Sequence, residues 1–280
     1  MPTISMNAFP LGMYMRHYGL QSDLMSKFLL VKASGGDTLE MGVGAPDQVE
    51  EVARLYEQFR MESKVCVLGA NLFQAGWEAG VEKVITTAEA FHDRLGTPMV
   101  NMCLDRKTDE TGKVALVKTD EELTLQGEAY KQLIQELESA GLQVCFHMHD
   151  PELFEDWKEI KAMVAINPGM GFCMDVQWIH QGSGFSMEAV NKFLEDYGPQ
   201  IVHLHLRQSA GNELQDTFRL EGDIDYRHVF RRLREIGYTG DVSLEQLRFD
   251  DTPENVRPFA LTASEGLEQI RLGWSEAGLS

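Results

Sequence analysis

The chain has 280 residues, 43% of them hydrophobic and 25% charged, a composition that excludes disorder and leaves ample apolar side chains for a large core. Its formal net charge of −19 comes without any basic stripe, which argues against a grip on nucleic acid, where cations must replace the counterions of the phosphates. No run reaches the roughly 18 apolar residues of a membrane span and no basic stretch leads into an apolar core near the first residues, so the expectation is a cytoplasmic protein with no membrane partner.

Short β-rich runs at 3–7, 38–42, 64–68, 99–103, 143–147, 171–175, 201–206 and 241–245 alternate with longer amphipathic stretches, the pattern of parallel strands joined by crossover helices. Asn7, Glu40, Asn71 and Asn101 fall at or just beyond the ends of the first four strands and are candidates to hydrogen-bond substrate hydroxyls. Between strands two and three, Val49, Val52, Ala53, Tyr56 and Phe59 follow a helical stripe; after strand four, Leu133, Ile134 and Leu137 do the same, in a helix that Asp120 is expected to cap. Gly141 and Gly237 stand where helices should end in a left-handed residue. Eight such units, with no glycine-rich dinucleotide fingerprint after the first strand, predict an α/β fold, a (β/α)8 TIM barrel, as a single domain over residues 1–280. The longest irregular segment, 208–222, follows strand seven, on the side where such barrels build their sites.

The four cysteines, Cys66, Cys103, Cys145 and Cys173, stand singly in apolar runs without the close pairing of zinc or redox motifs, and read as small buried hydrophobes. Cys145 and Cys173 lie two residues deeper than His147 and Asp175, roughly 6 to 7 Å by the strand rise, which argues against a thiolate ligand.

The second half of the chain carries polar residues where a parallel barrel should read apolar. Strand five leads through His147 to His149, Asp150 and Glu152, with Cys145, His147 and His149 on one face by the two-residue period. Strand six closes on Asp175, with Trp178 and His180 following in the loop; strand seven sets His203, His205 and Arg207 on one parity; strand eight ends at Glu245 and Gln246. Singly, an interior histidine is most often a hydrogen-bonded core residue and a terminal aspartate a helix cap. Together, four neighbouring strands deliver carboxylates and imidazoles at one height, a mixed O and N set suited to a divalent cation.

The stretch His147-Met-His149-Asp150-Pro151-Glu152 resembles the His-Asn-His-Asp-Phe-Glu signature of one branch of the sugar phosphate isomerase/epimerase superfamily of xylose isomerase-like barrels, and Asp175-Val-Gln-Trp178 resembles that branch's Asp-x-x-Trp. His205-Leu-Arg207-Gln208 corresponds to the family's His-x-Lys-Asp with the last two residues changed, and Gly222-Asp-Ile-Asp-Tyr226, Gly237-Tyr-Thr-Gly240 and Glu245 match its closing pattern.

The resemblance implies one divalent metal ion, manganese first, with magnesium, cobalt, iron and zinc as alternatives. Its ligands would be Asp175, His205, Glu245 and, as the fourth, Glu152, with His147 the other candidate for that place. It implies a metal-dependent sugar isomerase or epimerase that abstracts a proton next to a carbonyl through a metal-stabilised enediolate. His147 or His149 would act as base, with Glu245 also available. Trp178 would offer an apolar face and Arg207 a cation to substrate, beside Asn7 and Glu40. The alternative on the same scaffold is a lyase, either a 3-keto-glycoside eliminase or an inosose dehydratase. An apurinic endonuclease-like nuclease and a non-catalytic sugar-binding barrel stand further off. The expected partner is a small sugar, keto-sugar or polyol, with self-association into a homo-oligomer left open.

Overall fold

The computed structural model describes residues 2–19, 22–111, 117–149, 154–245 and 259–279. Eight strands, β1 (Ile4–Asn7), β2 (Thr38–Glu40), β3 (Val65–Ala70), β4 (Met99–Leu104), β5 (Gln143–His147), β6 (Gly171–Asp175), β7 (Ile201–Leu206) and β10 (Val242–Leu244), form one sheet in the order β2-β1-β10-β7-β6-β5-β4-β3. The ladders are parallel, with Ser5 opposite Thr38 and Ser243, and Cys103 opposite His147. That order is the cyclic strand order of a (β/α)8 barrel, and every predicted strand is present within two residues of its expected bounds. Two short strands, β8 (Ser209–Ala210) and β9 (Glu213–Leu214), add an antiparallel pair in the segment after β7.

The chain groups into two compact units, residues 1–41, 54–63 and 174–280 in the first and 42–53 and 64–173 in the second. The first carries β1, β2, β7 and β10. There α1 (Ala8–His17) starts directly after β1, because the Asn7 side chain accepts the Phe9 amide at 2.8 Å. Helix α9 (Tyr226–Glu235) buries Tyr226, Val229, Phe230 and Leu233, the i, i+3, i+4, i+7 stripe of an amphipathic helix, while its arginines face outward. The last helix, α10 (Phe259–Ala277), lies against it with the Trp274 and Phe230 rings 5.5 Å apart. Gly273 permits that approach, since a Cβ there would stand 2.8 Å from Phe230 Cδ2. Gly237 ends α9 at φ 76°, and the Tyr238 amide returns to Leu233 O at 2.9 Å, the expected left-handed stop.

The second unit carries β3, β4 and β5. Its helix α5 (Asp120–Ser139) is capped not by Asp120 but by Thr119, which accepts the Glu122 amide while the Glu122 carboxylate accepts the Thr119 amide at 2.6 Å. This reciprocal box satisfies two otherwise orphaned donors, and the helix begins at Asp120, one residue earlier than a cap at Asp120 would place it. Gly141, at φ 84°, closes the same helix as expected. Beneath α5, Lys118 Nζ donates to Gln126 Oε1 and Glu159 Oε1, both at 2.7 Å, a fully buried ion pair that the sequence reading did not single out. Among the described residues no helix is long and apolar enough to cross a membrane.

Candidate metal and substrate site

Strand β7 presents His203 and His205 on one parity, both completely buried, and both reach the same carboxylate. Glu40 at the end of β2 takes His203 Nε2 on one oxygen and His205 Nε2 on the other, each at 3.0 Å. The second nitrogen of His205, Nδ1, faces Glu245 Oε2 at 2.6 Å. Burial pushes the His205 imidazole down, but the Glu40 and Glu245 carboxylates more than reverse this and hold it well above the usual histidine range. The same contacts act on the acids: burial raises Glu40, and the two imidazoles outweigh it and hold the carboxyl well below the usual carboxylate range.

Asp175 ends β6 with two tasks. Its Oδ1 accepts the Trp178 amide at 2.9 Å, capping α7 (Val176–Gly182), and its Oδ2 accepts from Arg207 Nη2 at 2.6 Å. Trp178 and His180 therefore stand on a short helix rather than in a loop. The Arg207 guanidinium lies 4.6 Å from the centre of the Trp178 ring, a cation–π contact. Its Nε and Nη1 are buried and have no hydrogen-bond partner among the described residues, so two donors remain for a ligand. Asp175, His205 and Glu245 each offer one ligand atom, and these atoms lie within 4.8 Å of one another. Two buried carboxylates and an imidazole at that spacing form an O and N donor set fitted to a divalent cation, and the bond from His205 Nε2 to Glu40 leaves Nδ1 as the nitrogen that faces Glu245.

In the second unit, Cys103 on β4 sits opposite His147 on β5, with Cys103 Sγ 3.3 Å from His147 Nδ1. The His147 and His149 rings are 4.4 Å apart. His149, Cys103, Asn71, Gln74, Asp105 and Arg106 line a pocket of about 650 Å3, so Asn71, expected to meet substrate, does border a cavity.

Asn7 caps α1, Asn101 lies within β4 with Cys145 Sγ and Cys173 Sγ 3.6 Å from its side chain, and Glu40 binds two histidines, so each is already engaged by the protein itself. Gln208 is a loop staple: Nε2 donates to Arg219 O and Ile224 O, and Oε1 accepts the Ser209 and Ile224 amides. This explains why glutamine suits the position where the family pattern has aspartate. Cys66, Cys145 and Cys173 are buried as expected, whereas Cys103 is only half-buried. Glu152, Asp150 and Gln246 lie outside the described residues.

A family model described as Xylose isomerase-like TIM barrel matches residues 28–270. Inosose dehydratase of Yersinia enterocolitica is 30% identical over 159 residues, 50% of this chain and 52% of that protein, so the chain spans about half the length of this relative. Among solved structures, L-ribulose 3-epimerase superposes with a TM-score of 0.74 at 17% identity, covering 99% of this chain and 96% of that one. The 3-keto-D-glucoside 4-epimerase of E. coli gives 0.68 at 15% identity, covering 97% and 100%. Identities this low bear on the fold alone. The length of the family match and the cyclic order of eight strands lead to one conclusion: the chain belongs to the xylose isomerase-like TIM barrel family.

Proposed function

We propose that the protein is a divalent-metal-dependent enzyme that removes a proton next to the carbonyl of a sugar, a keto-sugar or the keto form of a polyol, with isomerisation or epimerisation as the outcome. The observation that carries this reading is the buried set of Asp175, His205 and Glu245, whose ligand atoms lie within 4.8 Å of one another. When bound there, a divalent ion, manganese foremost, supplies Lewis-acid polarisation of the carbonyl.

The chain's own residues do the rest. Glu40 pins His205 through Nε2 at 3.0 Å, fixing the tautomer that leaves a lone pair on Nδ1. Arg207 offers Nε and Nη1 to a substrate oxygen while Asp175 and the Trp178 ring hold its guanidinium in place. His149, on the wall of the second unit's pocket, and His147 beside it are the groups assigned to move the proton. The fourth ligand is assigned to Glu152, with His147 the alternative, on the sequence resemblance.

Elimination is the second reading, favoured by the name of the Yersinia relative, inosose dehydratase. Both outcomes begin with the same carbon–hydrogen bond, and what separates them is whether a hydroxyl leaves afterwards. Incubation of manganese-loaded protein with ketoses, 3-keto glycosides and inososes, followed by mass spectrometry and NMR, separates the two. A product of unchanged mass and altered configuration supports the isomerase or epimerase, and loss of one water supports the lyase. Recovery of every substrate unchanged would reject both.

A further inference from the structure

The half-buried Cys103 has no part in the reaction proposed above, yet it stands beside two imidazoles. Cys103 and His147 are register partners on adjacent parallel strands, so their side chains leave the sheet on the same face. His149 follows two residues on, just past the end of β5, and its ring lies 4.4 Å from that of His147. One ligand atom from each of the three residues lies within 4.8 Å of the others. The sulfur-to-nitrogen distance of 3.3 Å between Cys103 and His147 is close to the roughly 3.5 Å that tetrahedral zinc imposes on a thiolate and an imidazole at their usual bond lengths.

Cys103 and His149 also line the pocket of about 650 Å3 in the second unit, so an ion can enter from that cavity and keep a fourth position open to solvent or a ligand. One thiolate and two imidazoles form a softer set than the carboxylate-rich group of Asp175, His205 and Glu245, and they select zinc or cadmium over manganese or magnesium.

We propose that Cys103, His147 and His149 form a binding site for a thiophilic divalent cation of the zinc class. On binding, the Cys103 S–H bond breaks, a sulfur–metal bond forms and the proton passes to solvent. Occupation takes up both histidines assigned to proton transfer, so zinc inhibits turnover. That consequence rests on the reaction proposed above, whereas the binding does not.

Cadmium tests the binding directly, because its thiolate complexes absorb in the ultraviolet and its carboxylate or imidazole complexes do not share that band. Full-length protein would be titrated with cadmium in excess manganese, which occupies the oxygen-rich ligands. The expected result is a charge-transfer band that saturates at about one equivalent. Cys103→Ser should abolish the band while circular dichroism stays native, and His149→Ala should keep the band and weaken the affinity by about tenfold or more. The proposal is overturned if the wild-type protein gives no band, if folded Cys103→Ser retains it, or if His149→Ala binds cadmium as tightly as wild type. Zinc inhibition is read separately: a band without inhibition would count against the assigned proton-transfer histidines and leave the site standing.

Discussion

Replacing Glu40 with glutamine tests the link between the inner carboxylate and the proposed metal ligands. Glu40 accepts from His203 and His205 at 3.0 Å each, with both imidazoles and the carboxylate fully shielded from solvent. Glutamine keeps one acceptor oxygen and presents an NH2 donor in place of the other, so it can preserve only one of these bonds. A lost charge-assisted bond costs about 1.5–3 kcal/mol, about 10- to 150-fold in an equilibrium constant. When the amide faces His205, it drives the proton from Nε2 to Nδ1, the nitrogen needed for the ion. Glu40→Gln is therefore expected to weaken manganese binding by about 10- to 100-fold, the usual effect of removing a carboxylate that orients a histidine ligand. Calorimetric titration of folded Glu40→Gln and wild type measures this. Unchanged affinity in the folded variant would refute the claim that Glu40 orients His205.

Three further outcomes follow from the same contacts. Because His205 is held well above its usual value in the metal-free protein, its imidazolium stabilises that state at low pH, and this contribution is lost as pH rises through the raised folded value; manganese binding should accordingly tighten with rising pH and release about one proton per ion near neutrality. Calorimetry in buffers of different ionisation enthalpy counts that proton, and a count of zero would contradict a ligand role for His205. Arg207→Met leaves Asp175 buried without its cation, at a cost of about 3–5 kcal/mol to the metal-free protein. Urea unfolding should then show a larger gain from added manganese than in wild type. Lys118→Met breaks the buried pair with Glu159 and should cost a similar 3–5 kcal/mol or so in urea unfolding while leaving manganese affinity at its wild-type value.

The barrel was legible because parallel strands buried on both faces read as short apolar runs, and β5, β6 and β7 stand at their predicted bounds. The clustering of Asp175, His205 and Glu245 was legible for the complementary reason, that ionisable groups interrupt those runs where burial is expensive. What escaped was pairing across distance in sequence. Glu40 read as a lone acid after an apolar strand, and nothing local shows that it meets two histidines 163 and 165 positions away. Asn7 and Thr119 escaped for a different reason: a residue at the junction of a strand or loop with a helix is equally suited to substrate and to a cap, and Asn7 and Thr119 each bond a backbone amide there. Cys103 was grouped with three buried cysteines because apolar neighbours in sequence say nothing about the half-open pocket wall on which it stands.

The most direct test of the proposed chemistry is solvent-deuterium incorporation in heavy water, with manganese-loaded protein and the ketose, 3-keto glycoside and inosose panel. A carbon acid beside a carbonyl should gain one deuterium in at least one of these substrates, whether or not net conversion follows. The exchange should vanish on chelation and in folded Asp175→Asn, and return when manganese is restored to wild type. Manganese-loaded protein that leaves the whole panel free of deuterium, or exchange that persists in Asp175→Asn after chelation, would contradict metal-dependent proton abstraction at Asp175, His205 and Glu245.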